Sequence, residues 1–434
     1  MKGQTKHFFW LYNLFPRLVG RFDEWATHLD RASSMGFNWI YVNPVEYAGY
    51  SGSLYSTHDY HKLNPLFTNG GELEPYGAFK SIVAEANAFG LKVMVDLVIN
   101  HTAFDSVLVE EHPGWFVRDV DGNLVPPSAD GGNQVWGDLA ELNYEDISVR
   151  EEVVHYWKGV LAERLAVGVK GFRADAAYQV PPEVWAELIQ YVRALDAEVV
   201  FFAETLGGHP SKALELAKAG FDYLTNSAKY WDYKEPWLVI QTQQLPRYCP
   251  SVSFPESHDT ARLMADHQGN IARFVQHVTF TALFAEGFKI PVGLEFGFLK
   301  RLSVVETLPK DWEEPVVDIQ PLLKNLIAFK ESYHPYFRRG AWQYWLTDPH
   351  NPANSATVLK KTVAGEGKDT YLVLSTNQEL SVWLDMTWQL GVINGEATNK
   401  LFRLDHTTQK FKPLPYSERF ELHPYGVLVV LEMG

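Results

Sequence analysis

The sequence predicts an α/β fold: a (β/α)8 barrel with a small inserted domain after its third strand and a C-terminal antiparallel β-sandwich. Three observations carry this. Eight short, mostly continuous apolar runs alternate with helix-like segments up to residue 334, as parallel strands covered on both faces require. A long segment rich in Gly, Pro, Trp and Asp interrupts the rhythm after the third run, and long loops inside a domain are usually functional. Beyond it all, from residue 335, alternating runs punctuated by turns take over, the mark of antiparallel strands.

The elements follow in order. The first run is HFFWLYN (His7–Asn13), followed by the helical FDEWATHLDRASSMG, which closes on Gly36, a residue suited to a left-handed helix end. NWIYVNP (Asn38–Pro44) is the second run, and YGAFKSIVAEANAFG closes likewise at Gly90. LKVMVDLVIN (Leu91–Asn100) is the third. The interruption over 101–148 then reads as a domain lying over the barrel mouth, and ISVREEVVHYWKGVLAERL resumes the helical pattern. VKGFRADAA (Val169–Ala177), EVVFFAETL (Glu198–Leu206), FDYLTNS (Phe221–Ser227), SVSFPESHD (Ser251–Asp259) and KIPVGLEFG (Lys289–Gly297) complete the eight. Between them, PPEVWAELIQYVRALD opens on prolines, which suit a first helical turn. QPLLKNLIAFKESYH reads as the last barrel helix. The barrel is thus expected over 1–100 and 149–334, and the β-sandwich over 335–434. The competing doubly wound sheet would carry a glycine-rich phosphate turn after its first strand, and NLFPRLVG is not one.

Composition narrows the function. The chain has 434 residues with 38 Lys and Arg against 53 Asp and Glu, a net charge of −15. That argues against nucleic acid, which needs a basic surface, and suits a neutral substrate. A single cysteine, Cys249, forms no intrachain disulfide. The N-terminal MKGQTKHFFWLYNLFPR lacks the pattern of a signal peptide, and no run reaches the length of a membrane span. These features read as a cytoplasmic protein without a membrane partner. Aromatic residues make up 14% of the chain, which supplies core and sugar-stacking surfaces alike; Trp136, Trp231 and Trp237 are candidate walls of a site.

In such barrels the active site sits at the C-terminal ends of the strands. Polar residues cluster there: Asp96, Asn100 and His101 after the third run, Arg173 and Asp175 on the fourth, Glu204 after the fifth, and Glu256, His258 and Asp259 after the seventh. Arg173 and Asp175 are two apart and share one face of a strand. A charge pair in an apolar run demands a polar cavity. Three carboxylates from different strands suit retaining glycoside cleavage, in which one carboxylate attacks and another protonates the leaving oxygen. Asp175, beside Arg173, is the candidate nucleophile, held ionised by the guanidinium. Glu204, after the apolar VVFFA, is the candidate acid. Asp259 would grip sugar hydroxyls. Singly, Arg173–Asp175 also reads as a structural ion pair, Glu204 or Asp259 as a helix cap, and His101 as a core histidine; their conjunction in barrel order favours chemistry. Asp96, Asn100 and His101 show no recognisable metal-ligand spacing.

At these residues the sequence resembles the α-amylase family of retaining α-glucan enzymes. DLVINH (Asp96–His101), GFRADAAYQ (Gly171–Gln179), FFAET (Phe201–Thr205) and FPESHD (Phe254–Asp259) resemble its four motifs in order. The resemblance implies Asp175 as nucleophile with Arg173 its partner, Glu204 as acid/base, and His258 and Asp259 as substrate-holding residues. GYSGSLYSTHDYHKLNP resembles the segment carrying a sugar-stacking tyrosine, here Tyr55, and GDLAELNY a short motif closing the third loop. Asp96, His101, Arg173 and Tyr178 join Tyr55 and His258 in the expected substrate-binding set. Many members carry Lys-His after the nucleophile, where Tyr178 and Gln179 stand here, and Asn where Ser257 stands. YNLFPR, MGFNWIYVNP and the segment from PPEVWAEL to LAKAGFDY look similar to bacterial maltosyltransferases that use maltose-1-phosphate. No cofactor is expected, although Asn100 resembles a calcium ligand of calcium-dependent members. The expected activity is cleavage or transfer of α-glucosidic bonds of malto-oligosaccharides or small α-glucosides through a covalent glycosyl-enzyme. A maltosyltransferase or other transglycosidase is the alternative, and an inactive carbohydrate-binding barrel a further one. A metal-dependent barrel hydrolase would need a His-rich mouth, which the sequence does not supply.

Overall fold

The computed structural model describes residues 7–129, 134–243, 245–346, 356–363, 368–385, 400–415 and 419–432. Residues 1–6 of the N-terminal stretch, 130–133 of the insertion and the remaining parts of the expected C-terminal domain lie outside the described residues. Eight parallel strands close into a barrel in chain order: β1 (Phe9–Leu14), β2 (Trp39–Val42), β3 (Lys92–Leu97), β4 (Gly171–Ala174), β5 (Val200–Ala203), β6 (Tyr223–Thr225), β7 (Ser251–Ser253) and β8 (Gly287–Pro291). The last pairs with the first, Leu11 opposite Lys289. Closure follows from the sequence because each run is apolar on both faces. One face fills the barrel with Phe9, Leu11, Trp39, Tyr41, Met94, Phe202, Tyr223 and Val252; the other packs on helices.

Those helices are α1 (Ala26–Met35), α2 (Lys80–Ala88), α3 (Ile147–Ala166), α4 (Pro182–Leu195), α5 (Pro210–Ala219), α6 (Trp237–Gln243), α7 (Ile271–Phe284) and α8 (Gln320–Ser332). Gly36 ends α1 in the left-handed region at φ 97°, as its position predicted. Asp146 caps α3 by accepting from the Ser148 and Val149 amides. The strands are shorter than the apolar runs because the last residues of each run leave the wall to build the rim. Asp175 and Glu204 directly follow a strand end, and Asp259 lies six residues beyond β7.

The segment between β3 and α3 pairs His101–Ala103 with Leu139–Glu141 and Ser128–Ala129 with Gln134–Val135. At the other end, a six-stranded antiparallel sheet runs Gly340–Leu346, Ala356–Val363, Lys368–Ser375, Val427–Glu432, Lys400–Asp405, Lys410–Leu414 in spatial order. One face of it, with Leu359, Leu372, Leu374, Val427 and Val429, joins the barrel's core. The other, with Val358, Val373, Leu428 and Val430, packs on Leu384, Phe420 and Leu422 of a two-stranded layer, Val382–Asp385 with Arg419–Leu422. This is the expected sandwich, with a small second layer. Since one buried aliphatic side chain contributes roughly 1.5–3 kcal/mol, five on the barrel face fasten the two parts firmly.

Candidate active site

The rim is organised by one guanidinium. Register sets Arg173 on β4 beside Asp96 on β3 and Phe202 on β5, so its side chain enters the barrel mouth. Arg173 Nη1 donates to Asp96 Oδ1 at 2.6 Å and to Asp175 Oδ1 at 2.8 Å, while Nη2 lies 2.6 Å from Glu204 Oε2. Only Arg presents donors on a planar fork that can serve three carboxylates at once. Glu204 Oε2 also accepts from the Ala176 amide at 3.0 Å. Ala176 takes a left-handed conformation, φ 40°, uncommon for a residue with a side chain. That turn aims its N–H at the carboxylate, and strained backbone of this kind concentrates at functional sites.

A second chain of bonds runs along the other side. Tyr41 and Tyr55 donate their hydroxyls to Asp96 Oδ2, Tyr55 at 2.7 Å. Tyr55 Oη in turn accepts from Asn43 Nδ2 at 2.8 Å and lies 2.7 Å from His258 Nε2. The Tyr55 and His258 rings stack, 5.5 Å between centroids and 6° from parallel. His258 Nε2 is also 2.9 Å from Asp259 Oδ2, so the Nε2–H tautomer serves both neighbours. Asp259 is the most open of the set, its side chain 48% exposed against 13% for Asp175. His101 donates Nε2–H to the Tyr55 carbonyl at 3.2 Å. Burial lowers its pKa to about 4, so the ring is neutral and acts by positioning Tyr55.

The electrostatics depart from the expectation in one respect. Burial raises the Asp175 carboxyl well above its ordinary range; Arg173 opposes this, and Glu204, Asp96 and Asp259 add to it. Arg173 pulls the Asp175 carboxyl down without offsetting burial and the three neighbouring acids. Asp259 is lowered, burial opposing and His258 and Arg173 prevailing. A further cation sits below. Lys289 on β8 is buried, with its ammonium over the Phe254 ring at 5.2 Å and the Tyr41 ring at 5.6 Å. Burial and Arg173 lower its pKa to about 8, opposed by Glu204, Asp259 and Asp96.

The sequence-predicted residues thus divide. Asp96, Arg173, Asp175, Glu204, Tyr55, His258 and Asp259 form one bonded network, with His101 behind Tyr55. Glu256 does not join it: it pairs with Arg262 at 2.7 Å and caps the Leu263 amide, a structural acid. Glu204 is no helix cap, since His209 caps α5, and Asp259 is none either. Tyr178 packs on the turn after Glu204, where a Cβ at Gly208 would lie 2.8 Å from its ring. Trp231 proves to be core, against Tyr233 and Phe280. Asn13, Asn43 and Lys289 were not singled out. Asn13 Nδ2 donates to Asn43 Oδ1 at 2.7 Å; an Asn at the end of β1 and another just past β2 is the signal that would have found both. At Asn100, Nδ2 donates to Gln179 Oε1 at 2.7 Å, and Gln179 Nε2 reaches the Ser128 carbonyl at 3.1 Å. No three His, Cys, Asp or Glu residues gather to hold a metal among the described residues, and calcium takes six to eight oxygens with several carboxylates. The donor set at Asn100 does not fit it.

Fold and site together give a closed (β/α)8 barrel with its carboxylates gathered at the C-terminal rim. Residues 9–116 match the family model described as "Glycogen debranching enzyme, glucanotransferase domain". The chain is 26% identical over 302 residues to the alpha-1,4-glucan:maltose-1-phosphate maltosyltransferase of Burkholderia pseudomallei, covering 68% of this chain and 26% of that protein. It is 27% identical over 430 residues to the enzyme of the same name in Mycolicibacterium smegmatis, covering 86% of this chain and 58% of that one. The chain therefore spans less than two thirds of either relative. In fold it matches the crystal structure of an alpha-amylase from Lactobacillus plantarum with a TM-score of 0.76 and 22% identity, over 97% of this chain and 98% of that one. The chain resembles the α-amylase family in fold, with sequence similarity to maltosyltransferases.

Proposed function

We propose that this protein cleaves or transfers α-glucosidic bonds with retention of configuration. One observation carries the reading: Asp175 and Glu204 hang from the two ends of a single guanidinium. A shared guanidinium keeps the two carboxyls near one another, which favours the close pairing of a retaining enzyme, ~5–5.5 Å between carboxyls, over the ~6.5–9.5 Å that leaves room for an attacking water. Asp175 attacks the anomeric carbon, and Glu204 protonates the leaving oxygen. Glu204 then takes a proton from water or an acceptor hydroxyl. Asp259 and His258 hold sugar hydroxyls, and Tyr55 supplies a flat wall. The oxocarbenium-like transition state brings positive charge to a cluster of four acids with two fixed cations. It therefore favours ionised Asp175 at the moment of attack, although burial disfavours that form at rest.

A second reading, transfer of a maltosyl unit from maltose-1-phosphate, rests on the names of the sequence relatives and on the departures at Tyr178, Gln179 and Ser257. The reaction needs no metal on this reading, the Asn100–Gln179–Ser128 bridge tying the insertion to the barrel. A cytoplasmic location is supported by the lone buried cysteine; no helix among the described residues is long and apolar enough to cross a membrane. The test is product mapping with maltose, malto-oligosaccharides, sucrose, trehalose and maltose-1-phosphate, following the anomer released by NMR. Retained α products abolished by Asp175→Ala are expected. Inverted product, or undiminished turnover in that variant, would overturn the assignment.

A further inference from the structure

Away from the rim, a cleft of about 370 Å³ opens at the seam between the barrel and the C-terminal sheet. It falls within the ~300–1,000 Å³ of small-molecule sites. Both parts build it. The Trp231–Glu235 loop is hooked to the sheet by Thr357, whose hydroxyl donates to the Tyr233 carbonyl, and by Tyr344, whose hydroxyl donates to the carbonyls of Lys234 and Glu235. Gln276 on α7 donates to the Ser375 carbonyl at 2.7 Å. Tyr233 is held at φ 68°, a left-handed conformation that a tyrosine adopts only under constraint.

Three side chains lining this cleft are more than nine-tenths buried and carry polar atoms without partners. His267 is 8% exposed, with neither ring nitrogen bonded; His277 is 3% exposed, with Nε2 unbonded; Tyr233 is 8% exposed, with its hydroxyl unbonded. Buried polar groups are almost always satisfied. Three orphans around one cavity therefore point to a group that seats there. Their chemistry specifies it. His277 bonds the Ala228 carbonyl through its other nitrogen, so Nε2 can only accept. His267 is neutral, its pKa lowered to about 4 by burial and by Arg273, and offers one donor and one acceptor. The Tyr233 hydroxyl does either. A carboxylate or sulfate has no proton for His277. The Lys229 ammonium is already committed to Asp266 at 2.8 Å and to the Ala261 carbonyl. Hydroxyl groups, which donate and accept, match all three. Tyr230, 56% exposed at the rim, offers a ring face for an apolar sugar surface.

We propose that the seam cleft is a second carbohydrate site that takes a neutral glucosyl unit, its hydroxyls paired with His267, His277 and Tyr233. The choice of an α-glucan among polyols rests on the function proposed above. Calorimetric titration of the full-length Asp175→Asn variant with maltotetraose tests it. Two binding events are expected. One is weakened at least tenfold by His267→Phe and equally by Tyr230→Ala, a rim change that leaves the core intact, and is indifferent to Tyr55→Ala. A single event that responds to Tyr55→Ala and ignores Tyr230→Ala would overturn the proposal. So would inorganic phosphate binding there in place of maltotetraose. Seam binding without any event sensitive to Tyr55→Ala would sustain the second site while refuting the active-site reading.

Discussion

Replacing Arg173 should do more than remove one contact. Its guanidinium serves Asp96, Asp175 and Glu204 at 2.6–2.8 Å, and it is fully buried. An opposite charge this close lowers a carboxylate pKa by ~1–3 units, each unit being about 1.4 kcal/mol. In Arg173→Met, Asp175, already raised by burial, rises further by that amount. The acid limb of kcat/KM moves to higher pH by ~1–3 units. Arg173→Lys keeps the charge yet loses the fork. It can serve one carboxylate well but not two, so kcat should fall roughly 10²–10³-fold, the ~2.7–4 kcal/mol typical of a lost transition-state donor.

Stability gives an independent readout. A carboxyl whose folded pKa lies above its unfolded value stabilises the fold below the unfolded pKa. It loses that contribution as pH rises through the folded pKa. Arg173→Met widens this window, so its melting temperature should fall further below wild type at pH 8 than at pH 5. Kinetics on a maltosyl fluoride from pH 4 to 9, with thermal unfolding across the same range, would check both. A Lys variant within tenfold of wild type, or a Met variant with an unmoved acid limb, would refute the claim that one guanidinium governs the set.

Other outcomes follow from the same network. Lys289→Met removes a buried cation whose charge is felt by Glu204, Asp259 and Asp96; the acid limb should rise by roughly one unit, measured by the kcat/KM profile. Tyr55→Phe leaves Asp96 Oδ2, Asn43 and His258 each short of a partner; a loss of ~1–3 kcal/mol, or about 5–160-fold in kcat/KM, is expected in steady-state assays. EDTA should change neither activity nor melting temperature. Gln179→Ala should lower stability by ~0.5–1.5 kcal/mol through the lost bridge, read by denaturant unfolding.

The barrel was legible because its signal is local and repeated. Each apolar run declares a strand buried on both faces, and each run's polar tail declares the rim. The site was legible where chemistry needs a carboxylate at a strand end. What escaped were residues whose role depends on which neighbour they face. Glu256 and Glu204 each follow an apolar run, and only the position of Arg262 turns the first into a structural acid. Trp231 and Tyr230 are adjacent, and one is core while the other stands exposed at the mouth of the seam cleft. No spacing rule separates such pairs, since the difference lies in the partner element, distant in the chain.

Lys289 shows the same limit from the side of charge. Its run, KIPVGLEFG, reads as an eighth strand with a lysine at its start, where a side chain could as well reach solvent. The register with Leu11 on β1 turns it inward instead. Four acids gathered at one rim repel one another, and that repulsion adds to burial in raising the Asp175 carboxyl against the pull of Arg173. A buried ammonium beneath them reduces that repulsion at the cost of its own desolvation, which is why its pKa falls to about 8. The charge balance of the rim could have been posed as a question from the sequence, four carboxylates against one arginine. The answer lay on a strand whose inward face no local pattern marks.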